Sequence, residues 1–398
     1  MHVDRRLPIP RALRPPGVRL PIPRALRPPG VRLPIPRALR PPGVGHPGCP
    51  RRSGRSRSIG FALASAAWLA GPRAAAAHGL VPVNAPDAAN LLLGWGFEPT
   101  VLLPLLLAAI LWWRLLAAVD RAHPEHRVPG RQRWAFLGGL LVISVALDSG
   151  LARYDTTLFS VHMVQHILLA LVAPPLVALG APITQLLRAS SPGTRTGTIL
   201  PFLNSRLLRT LGHPLVAGLL FAGVMWGTHF SPLFDSALES SLIHELEHAL
   251  YLTAGLLFWL PVVGLDPSPY RMSFPARIGY VFLQMPQNSF LAMAILFADA
   301  PLYAHYATLG APYGIDALAD QRLAAGIMWF VGDVVFLVAL LWVLAAWMRS
   351  EDRGSVGAER RADVERAAIR DREAALRRRR GLPEPPDQAA GGSSTSER

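Results

Sequence analysis

Two pairs of histidines carry the first chemical signal. His162 and His166 stand four residues apart in SVHMVQHILLALVAPPLVALG (160–180), and His244 and His248 stand four apart in HELEH (244–248). Residues at that spacing share one face of a helix, one turn above the other. Two imidazoles so placed can hold one metal ion. Both pairs lie in apolar stretches long enough to cross a bilayer, where an ionisable side chain is costly and marks function by default. His229 closes a third apolar stretch, and Met163 and Met225 add thioethers close by. Imidazole suits Cu, Zn and Fe, while thioether leans toward Cu(I). The only cysteine is Cys49, which excludes an intrachain disulfide and a thiolate cluster. Any transition-metal site must therefore use His, Met, carboxylate or backbone atoms.

Each residue also has a plainer reading. A single membrane histidine is commonly a hydrogen-bonded packing residue, and Met163 alone reads as core. Pairing at a matching depth favours a metal site with His162, His166, His244 and His248 as ligands and His229 and Met163 as auxiliaries. HELEH also matches H-E-x-x-H, in which two histidines bind zinc and Glu245 would activate water. The second histidine pair and His229 supply more imidazoles than such a protease site uses. A copper transporter and a heme-binding membrane protein with histidine axial ligands are further readings.

The elements that must position these residues are read from hydropathy. The chain has 398 residues, 51% hydrophobic and 17% charged. Its apolar residues come in long blocks, so the expected class is an all-α, polytopic membrane bundle. Seven segments have the ~20 residues needed to span: 97–119, 134–152, 158–181, 214–230, 242–264, 277–298 and 323–348. The net charge of +14 does not indicate nucleic acid, because the arginines gather in the tails and in alternate loops. Loop 120–133, loop 188–213 (Arg188, Arg195, Arg206, Arg209), loop 265–276 and the tail carry the basic residues. The intervening loops carry acid, with Asp155, then Asp235 and Glu239, then Asp299, Asp316 and Asp320. The positive-inside rule then predicts an N-out, C-in topology. It places His162, His166, His229, His244 and His248 at one depth near the outer surface.

Within the spans, Asp148 and Asp299 are candidates to orient a ligand histidine through its second ring nitrogen. Asp333 lies deeper beside Gly332, where an unpaired carboxylate is costly. Gln284, Gln287 and Asn288 flank Pro286 and are placed to satisfy backbone freed by that proline, or to line a cavity.

Outside the spans, residues 6–44 repeat RLPIPRALRPPGV three times. That composition cannot form a packed core, so 1–50 is expected to be disordered or to precede the true start. Residues 51–77 read as a signal peptide: Arg51, Arg52, Arg55 and Arg57, then a short apolar run, then Ala75-Ala76-Ala77. Cleavage there would make His78 a terminal copper chelate, or simply the first residue of a leader over 78–96. The membrane domain is then 97–348. The tail, 349–398, includes a charged stretch at helical spacing, 358–380, suited to solvent or to acidic lipid.

HMVQHILLALVAPPLVALGAP (162–182), HELEHALYLTAGLLFWLPVVG (244–264), QMPQNSFLAMAI (284–295) and GIMWFVGDVVFLV (326–338) resemble the CtaG family. This is the multi-span cytochrome c oxidase assembly factor associated with caa-type oxidases. The resemblance covers about 90–350. It implies a non-enzymatic role in making active heme-copper oxidase in a bacterial plasma membrane. The implied chemistry is supply of copper to an oxidase subunit, at its CuB or CuA centre; the His/Met donors favour Cu(I) over zinc, and the loop charges place the site on the extracytoplasmic side. The family's histidine motifs fall on His162, His166, His244 and His248.

Overall fold

The computed structural model describes residues 81–381. The repeat, the signal peptide, His78 and the end of the tail lie outside them. Among the described residues the ordered elements are all helical, without strands. The principal ones are α1 (Pro99–Ala122), α2 (Gly130–Asp148), α3 (Phe159–Ile167), α4 (Ala173–Leu179), α5 (Pro214–His229), α6 (Leu233–Glu239), α7 (Ser241–Val263), α8 (Phe274–Leu296) and α9 (Ala317–Arg379). A π-helical turn, Leu168–Val172, joins α3 to α4.

Five helices are long and apolar enough to cross a membrane, or six if the bent pair α5 and α6 forms one span. Together α3, the π turn and α4 make one of them. The expected segment 277–298 coincides with α8, whose 23 residues suffice in length. Its polar run of Gln284, Gln287, Asn288 and Ser289 lowers its hydropathy below that of the others.

Burial orders the bundle. Every residue of α3 except Val164 is buried, the mark of a central helix. At the periphery, α1 leaves Leu103, Leu106, Leu107 and Leu111 exposed, a face suited to lipid. It is held at its far end, where Trp112 stacks on Phe136 at 4.2 Å and donates Nε1–H to the Arg133 carbonyl.

Proline chemistry sets how α7 meets the central helix. Pro174 has no N–H, so the Ala170 carbonyl loses its helical partner. Trp259 of α7 replaces it, donating Nε1–H at 3.2 Å. The two backbones pass so closely here that a Cβ on Gly255 would lie 2.5 Å from the Ala170 oxygen. Seven residues before Gly255, two turns along the same face, stands His248.

The deep carboxylate of α9 is satisfied. Asp333 accepts from Ser289 Oγ at 2.8 Å and from Asn288 Nδ2 at 3.3 Å. Gly332 gives Asn288 room, since a Cβ there would stand 2.7 Å from its Nδ2. The polar run of α8 is therefore bound to α9. Asp320, near the start of α9, accepts from the backbone N–H of Ser160 and so caps the central helix. Asp148 does not orient a histidine; it accepts from the Glu98 N–H at the head of α1 and from Ser144. Asp299 is exposed.

The last helix differs from expectation. The apolar segment and the charged stretch are one helix of 63 residues. At 1.5 Å per residue it is about 95 Å long, roughly three times the ~30 Å hydrocarbon core, so its arginine-rich half projects well past the bundle.

Candidate metal centre

Three helix ends meet on one side of the bundle: the start of α3, the end of α5 and the start of α7. They bring together His162, His166, His229, His244 and His248, all buried. The Nε2 atoms of His162 and His166 are 2.8 Å apart. The ring of His162 lies 5.3 Å from that of His244, and His244 lies 4.2 Å from His248. His166 is 6.2 Å from His229 and 6.3 Å from His248.

Two carboxylates that the metal reading of the sequence did not include join the rings. Glu247 Oε2 stands 3.7 Å from His162 Nε2 and 3.8 Å from His166 Nε2. Asp155 Oδ2 stands 3.8 Å from His244 Nε2. Glu247 had a legible signal, because residues 244, 247, 248 and 251 form one helix stripe. Asp155 had none; it belongs to a short turn ahead of α3 and reaches the cluster only through the fold. That turn is held from above, where Tyr306 donates to the Asp155 carbonyl at 2.6 Å and His305 Nε2 donates to the Thr156 carbonyl at 2.9 Å. Burial pushes the Asp155 carboxyl up to about 7, the effect of withholding water from its charged form.

The wall around the rings is aromatic. Pro232 follows α5 at a 67° break, and the chain folds back so that Phe234 of α6 packs 5.0 Å from His162 and 5.6 Å from His229. Tyr251 stacks on His166 at 3.9 Å. Its hydroxyl contacts Thr228 Oγ1 at 2.6 Å, and Thr228 donates to the Val224 carbonyl. Tyr251 is thus the donor in the first contact.

Hydrogen bonding prepares particular nitrogens. A carbonyl can only accept, so the 2.7 Å contact from His229 Nδ1 to Met225 O places the proton on Nδ1. Nε2 keeps its lone pair, is buried, and makes no hydrogen bond. Second-atom anchoring of this kind is what orients ligand histidines. Neither oxygen of Glu247 makes a hydrogen bond. His162 Nε2, His166 Nε2 and Glu247 Oε2 lie 2.8, 3.7 and 3.8 Å from one another, close enough to share one cation. The donor set fits a transition-metal cation.

Met163 is buried in the main apolar core. In the HELEH run Glu247 is buried and stands beside His162 and His166; Glu245 is partly buried.

Residues 110–350 match the family described as the cytochrome c oxidase caa3 assembly factor. The chain is 30% identical over 290 residues to uncharacterized proteins of Mycobacterium bovis and Mycobacterium tuberculosis, covering 71% of this chain and 43% of each. It is 31% identical over 237 residues to an uncharacterized protein of Mycobacterium leprae, covering 58% of this chain and 36% of the relative. The chain thus spans less than half the length of these relatives. No solved structure matches it.

Proposed function

This chain belongs to the cytochrome c oxidase caa3 assembly factor family, and we propose that its part in that assembly is to bind copper in the histidine cluster and present it to an oxidase subunit. His162, His166, His244 and His248 are the ligands in this reading, with His229 and Met163 as auxiliaries. The observation that carries it is the convergence of five buried histidines from three helices, with two Nε2 atoms 2.8 Å apart beside a buried carboxylate that makes no hydrogen bond. Imidazole and thioether ligation without thiolate holds Cu(I) loosely enough for release, which suits a carrier better than a storage site.

The protein sits, on this reading, in a bacterial plasma membrane as seven spans, N-out and C-in. Two features support that topology. The three histidine-bearing helix ends lie on one side of the bundle, and the arginines of loop 188–213 lie at the opposite helix ends. The copper site then faces the extracytoplasmic side, and the lipid-facing leucines of α1 lie against the bilayer.

Purified full-length protein in detergent tests the reading. His162→Ala with His244→Ala is expected to abolish retained copper and to lower oxidase activity in cells. Unchanged copper and oxidase activity would overturn it. Glu245→Gln separates the protease alternative. Copper carriage predicts full copper retention and oxidase assembly in that variant, whereas an H-E-x-x-H protease predicts lost function with metal still bound.

A further inference from the structure

The two histidine pairs are served crosswise. The pair on α3, His162 and His166, receives its carboxylate from α7, as Glu247. The pair on α7, His244 and His248, receives its carboxylate from the turn that leads into α3, as Asp155. Ligand atoms of Asp155, His244 and His248 all lie within 4.8 Å of one another, and so do those of His162, His244 and Glu247. His244 therefore stands in the wall between two ligand sets, each with an acid of its own.

Charge points the same way. Asp155 and Glu247 are both buried. Among the described residues their ion-pair contacts are to histidine rings alone, and no Lys or Arg balances either. A buried carboxylate is tolerated only with a compensating cation or a proton. A cation that binds displaces the proton, and each carboxylate then brings one negative charge, which one Cu(I) ion cancels.

Resting on the copper reading above, we propose that the cluster has two adjacent copper positions. One is formed by His162, His166 and Glu247, with the lone-pair Nε2 of His229 nearby. The other is formed by Asp155, His244 and His248. The Asp155 position lies next to the turn that precedes α3, so it is the one nearer the end of the bundle. The Glu247 position lies deeper, against Tyr251. An ion arriving at the first has the second within reach, with His244 between them.

Counting copper tests this. Full-length protein is loaded with Cu(I) under reducing conditions, passed through a desalting column and assayed for copper per chain. Two equivalents are expected for the wild type, a count that requires no variant to fold. Asp155→Asn and Glu247→Gln are each expected to retain one, and Glu245→Gln to retain two. One equivalent in the wild type would overturn the paired arrangement while leaving copper binding in place; none would overturn both. Two equivalents surviving in Asp155→Asn or Glu247→Gln would overturn the role given to that carboxylate.

Discussion

His229 illustrates what a single side chain contributes. Its Nδ1–H is committed to the Met225 carbonyl, so only Nε2 can face a ligand. Replacing it with Ala should leave the four paired histidines able to bind but loosen the ion. About a tenfold loss of Cu(I) retention is expected in a chelator competition, in keeping with the cost of losing supporting groups at metal sites. Tyr251 acts differently. Its ring stacks on His166 and its hydroxyl holds Thr228 at 2.6 Å, with a longer contact to His229 Nδ1 at 3.3 Å, so Tyr251→Phe keeps the ring and loses the short hydrogen bond to Thr228. Copper per chain should be unchanged, while thermal unfolding in detergent reports a loss of about 1 kcal/mol. Glu247 was partly legible from its place on the 244–248–251 stripe. The match to H-E-x-x-H drew attention to Glu245 instead, because a motif records spacing along the chain and not which face of the helix is buried.

At the level of elements, the decisive contact is between α7 and the central helix. Pro174 exposes the Ala170 carbonyl, Trp259 satisfies it, and Gly255 lets the backbones close. Trp259→Phe would leave a buried carbonyl unpaired and is expected to cost roughly 1–3 kcal/mol, read from thermal melts. Gly255→Leu should do more. Its side chain would have to occupy space held by backbone, so α7 must move and carry His244 and His248 with it. Retained copper should fall together with stability, whereas Trp259→Phe should lower stability with copper per chain preserved at low temperature. A shared proline is read easily from sequence. Its partner is not, since Trp259 lies 89 residues away from Ala170. The same holds for Asp333, whose cost in the membrane was legible but whose donors on α8 were supplied only by packing.

For the whole molecule, the proposed topology has a direct test. In a Cys49→Ser background, Glu239→Cys should react with a membrane-impermeant thiol reagent in intact cells, and Ser191→Cys should react only after lysis. Reversed labelling would put the histidine cluster on the cytoplasmic side. The amino-acid sequence by itself determined the helical class, the positions of the long apolar segments and the paired histidines, because hydropathy and a four-residue spacing are local properties of a chain. It also carried the family resemblance through motifs that keep their order. It could not supply Asp155, the crosswise exchange of carboxylates between α3 and α7, or the continuity of α9 through its charged half. Those depend on which helix faces lie together, and that is decided by side-chain packing between residues far apart in the chain. Two HxxxH pairs drawn on separate helices are two pairs of imidazoles; only their convergence, with two buried acids beside them, makes one cluster of candidate ligands.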